Sequence, residues 1–360
     1  MKLGLGLYRH MLAPEYARFA RQAGATHIVA HMPGDFARGG EKTITSDREQ
    51  AGFGLSGGDD PIWSYEGLRD LKAMVNAEGL ELAALENFAP AHWYDVLLDG
   101  PRRQEQMDNL KRILRDMGRV GIPVMGYNFS IAGVWGRVEG PFARGGALSV
   151  GFENPAQPPI PNGMVWNMVY DPESYDAEHP HGTVGPVTHD QLWARFAAFL
   201  EEMLPVAEEA GVKMALHPDD PPLPVLRGTA RLVHAPDGYQ RVLDLSASPA
   251  NTMEFCIGTL SEMAGGDIYE MVDRYSRTGR IAYIHFRNVR GKVPYYHETF
   301  IDEGDTDMLR ALRILKRNGY DGVLIPDHTP LMTCAAPWHA GMAYALGYMR
   351  AAITMIEQEA

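Results

Sequence analysis

Four side chains of metal-ligating type stand at or near the ends of short apolar runs in the second half of the sequence. They are His217 closing KMALH, Cys256 in TMEFCIG, His285 in IAYIHFR and Asp327 in VLIPDH. Alone, a strand histidine is usually a satisfied core residue and a strand cysteine a small hydrophobe. Jointly they mean more. If the four runs are neighbouring strands of a parallel barrel, their C-terminal ends converge on one pocket. Two imidazoles, a thiolate and a carboxylate there make a ligand set for one divalent ion. By hardness such a set suits zinc or iron, and residue chemistry alone leaves the metal open. His217 is followed by Pro218-Asp219-Asp220-Pro221-Pro222. The prolines stiffen this loop, and the two carboxylates are placed to accept from ligand N–H groups.

The elements that must position these residues are legible as alternation. Eight short apolar runs, at 2–8, 27–32, 81–86, 124–129, 213–217, 252–257, 281–287 and 322–328, fit strands buried on both faces. Between them, helical patterns cover 14–24, 65–78, 102–120, 189–210 and 308–318. This repetition predicts a single (β/α)8 TIM-barrel domain over 1–360. Two long stretches, about 33–63 and 138–185, are rich in Gly and Pro and fit neither pattern. Both follow predicted strands, so they are expected at the C-terminal face as lids or binding loops. The other cysteine, Cys334, reads as a small core residue.

The strings ALHPDDPP, FCIG around Cys256, HFR around His285 and PDH at Asp327 resemble mannonate dehydratases in type and order. Tyr127-Asn128-Phe129 and the segment from His297 to Met308 extend the likeness over most of the chain. The resemblance implies that His217, Cys256, His285 and Asp327 bind one divalent ion, manganese, with Fe2+, Co2+ and Zn2+ left open by the chemistry. It also implies conversion of the sugar acid D-mannonate to 2-keto-3-deoxy-D-gluconate and water. A proton must leave C2 beside a carboxylate, which a Lewis acid eases, and an acid must protonate the departing 3-hydroxyl. His328, next to Asp327, titrates in the right range for such work. Arg287 can clamp a substrate carboxylate through a bidentate pair, or form a structural salt bridge inside the barrel. Asn128 and His297 are further substrate-contact candidates. The family's Tyr in a Pro-Gly-Tyr-Ser segment is matched here by Ala336-Pro337-Trp338-His339, so His339 stands as a second catalytic candidate. That departure, and a longer first loop, bear on the substrate more than on the reaction class.

The composition excludes some partners. With 33 Lys and Arg against 46 Asp and Glu, the formal net charge is −13. Nucleic acid and anionic membrane surfaces need clustered positive charge, and no basic tract occurs. No run is long enough to span a bilayer, and no signal peptide is read at the N-terminus. Two cysteines are too few for a disulfide framework, so a reducing cytoplasm is expected. A homo-oligomer is expected, as parallel barrels often associate. Two rival readings stay open. One is a xylose-isomerase-like sugar isomerase or epimerase, with Glu254 and Glu303 as carboxylate ligands. The other is a non-catalytic barrel that binds sugar acids.

Overall fold

The structure is a computed structural model and describes residues 1–34, 56–171, 173–175 and 182–359. Eight parallel strands close into a barrel. They are β1 (Lys2–Leu7), β2 (His27–His31), β3 (Glu81–Glu86), β4 (Val124–Tyr127), β5 (Lys213–Leu216), β6 (Asn251–Cys256), β7 (Ile281–His285) and β8 (Val323–Ile325). β1 pairs with both β2 and β8, which closes the ring. The observed strands overlap all eight expected runs, and the ends shorten where the chain turns into the mouth of the barrel.

The helical layer follows: α1 (Pro14–Gln22), α2 (Tyr65–Ala77), α3 (Arg103–Val120), α4 (His189–Ala210), α5 (Gly238–Asp244), α6 (Ile268–Ser276), α7 (Met308–Arg317) and α8 (Pro337–Gln358). Local chemistry sets their ends. Pro14 opens α1, Ser64 caps α2, and Thr188 with Gln191 forms a capping box on α4. Gly121 and Gly211 end α3 and α4 in the left-handed conformation that favours glycine.

Inside the ring, Val29, Ala84, Val124, Ala215, Tyr283, Val323 and Ile325 form an apolar plug. Above it the interior turns polar, with Glu86, Glu254 and His285. Gly126 makes room for that layer. A Cβ there would strike the Tyr283 hydroxyl and the Glu254 carboxylate.

Part of the second long stretch is regular structure. Arg137–Ala143 and Ala147–Glu153 join Asn288–Lys292 and Tyr295–Thr299 in a four-stranded antiparallel sheet. Its side chains reach the barrel mouth, so it caps the C-terminal face. Most of the first long stretch lies outside the described residues. Cys334 is exposed, which corrects the expectation of a core position; it lies in the loop between β8 and α8.

Candidate active site

Strand ends build the site. His217 follows β5, and its backbone N–H donates to the Tyr127 carbonyl of β4. Cys256 and His285 are the last residues of β6 and β7. Asp327 lies two residues past β8 with φ 59°, a left-handed turn that aims it back at the mouth. Ligand atoms of His217, Cys256 and His285 lie within 4.8 Å of one another. Asp327 Oδ2 is 3.3 Å from His285 Nδ1. The structure therefore brings all four expected ligands together.

Their surroundings fit a cation. Among the described residues, the buried Nδ1 of His285 has no hydrogen-bond partner. The His217 Nδ1 is 2.6 Å from the Pro218 carbonyl, which fixes the N–H there and leaves Nε2 for a ligand. Burial would raise the Cys256 thiol, but the Arg287 charge and the neighbouring His217 and His285 hold it well below its usual range. Thr259 donates to the sulfur through its backbone N–H and its hydroxyl, at 3.4 and 3.2 Å. Burial and the neighbouring Glu86 push Glu254 up to about 8. Glu262, buried against Arg287, is likewise raised. Burial is what forces these two carboxylates toward the neutral form.

His328 lines the same pocket. Burial would lower its pKa, but Asp327 and Glu298 together raise it. Its Nδ1 is held by Glu298, and Nε2 lies 3.4 Å from Asp327 Oδ1. Asn128 is buried and also lines the pocket. Around them stand Tyr8, His31, Arg137 and Trp166. Trp166 and Asn167 both have positive φ, forming the turn of the small hairpin that presents the indole.

Three expected substrate-binding or catalytic residues do not line the pocket. Arg287 is engulfed by protein: Nε donates to Asp327, Nη1 to Glu262, and Nη2 to Asp220 and Thr259, with Glu298 3.4 Å away. With every guanidinium nitrogen engaged, it is the salt bridge inside the barrel and not a substrate clamp. His297 sits in the cap sheet between Tyr296 and Glu298. Alternation sends those two inward, so His297 faces out, stacked on Phe142 and 3.0 Å from Glu153. His339 lies on α8 among Tyr16, Phe19 and Trp338, in the outer helical layer away from the pocket lining. Glu303 accepts from the Arg144 backbone on the cap and is no ligand. Asp219 and Asp220 do not serve the candidate ligand histidines either. Asp219 pairs with Arg231 and loop amides, whereas Asp220 accepts from Arg137, Arg287 and Tyr296.

Sequence reasoning missed Glu86 and Glu298. Glu86 ends β3 just as His285 ends β7, so the same strand-end logic could have reached it. Glu298 belongs to the cap sheet, which no strand-end pattern in the barrel announces.

Fold and site together define a (β/α)8 barrel with a candidate metal-binding centre at its C-terminal mouth. Residues 20–356 match the family model described as D-mannonate dehydratase (UxuA), and the chain belongs to this family of hydro-lyases. A mannonate dehydratase of Streptococcus pneumoniae (strain 70585) is 31% identical over 274 residues, 74% of each chain. One of Streptococcus equi subsp. zooepidemicus (strain MGCS10565) is 32% identical over 275 residues, again 74% of each. The crystal structure of mannonate dehydratase from Streptococcus suis serotype2 superposes with a TM-score of 0.77 at 24% identity, covering 99% of this chain and 94% of that one. A xylose isomerase domain protein from Planctomyces limnophilus shares the fold, with a TM-score of 0.58 at 12% identity over 99% of both chains.

Proposed function

We propose that this chain dehydrates D-mannonate to 2-keto-3-deoxy-D-gluconate, with a divalent ion, manganese, held by His217, Cys256, His285 and Asp327. The observation that carries the reading is the buried, unpartnered Nδ1 of His285, set beside Asp327 and next to His328 in one pocket. When bound, the ion supplies Lewis acidity toward substrate oxygens.

The chain's own residues do the rest. The substrate must lose a proton from C2 and a hydroxyl from C3, which leave together as water. His328 moves a proton at Nε2, since Glu298 occupies Nδ1. Asn128 offers an amide to a substrate hydroxyl. Trp166 and the cap sheet limit water at the mouth. Arg287 acts at a distance by holding Asp327 and Asp220 in place. A free thiol ligand fits a reducing cytoplasm, and association into a homo-oligomer accords with the habit of parallel barrels.

The test is a screen of metal-stripped protein reloaded with manganese, assayed for 2-keto-3-deoxy acids from hexonates and pentonates. Product from D-mannonate supports the reading. Product from another sugar acid alone keeps the reaction and changes the substrate. Glu86 and Glu254 beside His285 are the observation favouring a second reading, an isomerase or epimerase with carboxylate ligands. That reading requires a ketose or stereoisomer as product. Tight sugar-acid binding without turnover indicates a binding barrel.

A further inference from the structure

The two ring nitrogens of His285 have different surroundings. Nδ1 faces Asp327 and has no hydrogen-bond partner among the described residues. Nε2 lies 3.1 Å from Glu86 Oε2 in hydrogen-bonding geometry. It is also 3.1 Å from Glu254 Oε1, but neither Glu254 oxygen has a hydrogen-bond partner among the described residues. Glu86 is well anchored. The Tyr283 hydroxyl donates to its Oε2 at 3.3 Å and the Asn87 amide to its Oε1 at 3.5 Å. His31 Nδ1 lies 3.4 Å from the same carboxylate.

An imidazole that ligates through one nitrogen keeps its proton on the other, and the partner of that N–H fixes which is which. An ionised carboxylate only accepts, so it demands the N–H. We infer that Glu86 is a positioning residue of the metal centre: it takes the Nε2–H of His285 and leaves Nδ1, on the Asp327 side, as the ligand atom. The inference rests on the metal reading proposed above.

It has a distinctive consequence. His217 is fixed the opposite way, because its Nδ1 donates to the Pro218 carbonyl. The two ligand histidines then bind through different nitrogens, His217 through Nε2 and His285 through Nδ1. The rival use of Glu86 and Glu254 is a second cation site sharing His285, since their ligand atoms also cluster within 4.8 Å.

The experiment uses the full chain, stripped of metal, labelled with 15N-histidine and titrated with Zn2+ as a diamagnetic probe. Long-range proton–nitrogen correlation reads which nitrogen of each zinc-bound ring carries the proton. The expected result is one ion per chain and one histidine of each type. Glu86→Ala should weaken zinc affinity about 10- to 100-fold and abolish the Nδ1-bound pattern. Glu86→Gln keeps a carbonyl acceptor and should recover most of the affinity. Two Nε2-bound histidines in the unmodified chain overturn the inference. So does Glu86→Ala with a lowered melting temperature but unchanged affinity and pattern, which marks a purely structural role. Two ions per chain, the second lost in Glu86→Ala, replace it with a second cation site. If the unmodified chain binds no zinc or manganese, the metal reading itself falls. That outcome is distinct from a failure of Glu86 alone.

Discussion

Glu298 grips the Nδ1 of His328 with both carboxylate oxygens, at 3.1 and 3.0 Å. The pair joins a strand of the cap sheet to the mouth of the barrel, so the cap orients a ring that lines the pocket. A fixed ring presents one nitrogen to substrate, which general acid–base work requires. Glu298→Gln weakens that grip and His328→Asn removes the ring. The expected kcat losses are about 10-fold for the first and about 100-fold or more for the second. Metal content should be unchanged in both. Full activity in His328→Asn removes the residue from the reaction.

Cys256→Ser replaces a thiolate with a hydroxyl that stays protonated and ligates poorly. Metal affinity should fall sharply, read by competition with a chromophoric chelator. A cobalt-loaded sample should lose its sulfur-to-metal charge-transfer band. Unchanged metal content excludes the thiolate from the ligand set.

Arg287 neutralises a buried group of carboxylates drawn from four places in the chain, Asp220, Glu262, Glu298 and Asp327. Removing one partner of a buried ion pair leaves uncompensated charge, at about 3–5 kcal/mol. Arg287→Met should therefore lower stability by that order in urea denaturation. A residue that only clamped substrate would raise KM and leave the unfolding midpoint unmoved.

His339→Ala should leave kcat within about twofold, because its ring packs between helices and not in the pocket. Its aromatic contacts are worth about 0.5–1.5 kcal/mol, so the melting temperature should drop slightly. His339→Tyr should likewise leave substrate choice unchanged. A shift in the ratio of rates on different sugar acids contradicts this placement.

His92 tethers the far end of the first long loop, with Nε2 3.2 Å from the Gly58 carbonyl and its ring against Trp63. Burial lowers its pKa below the usual histidine value. The unfolded chain then takes up a proton first as pH falls below about 6.5. Stability from this residue is present above that pH and is lost as pH falls toward the lowered folded value. Melting temperatures from pH 7.5 to 5 should show a shallower decline in His92→Gln than in the unmodified chain. Equal slopes contradict a neutral, buried His92.

Much of the architecture and half of the site were written along the chain. Strand–helix alternation implied a barrel, because apolar runs of this length must be buried on both faces. A barrel in turn brings the ends of successive strands together, so His217, Cys256, His285 and Asp327 could be grouped from position alone. Long-range partners carried no such pattern. Arg287 has carboxylates on every side only because the segments that follow β5, β6 and β8 and the cap sheet close over it. His297 faces outward because the cap strand's register turns its neighbours inward. His339 falls on the helical layer, and Glu86 and Glu298 enter the site from strands outside the ligand motifs. The sequence by itself determined the barrel and the candidate ligand types, since both follow from local periodicity and strand-end position. Only the tertiary structure decided which charged residues meet substrate and which meet each other, because burial of charge is settled by partners distant in sequence.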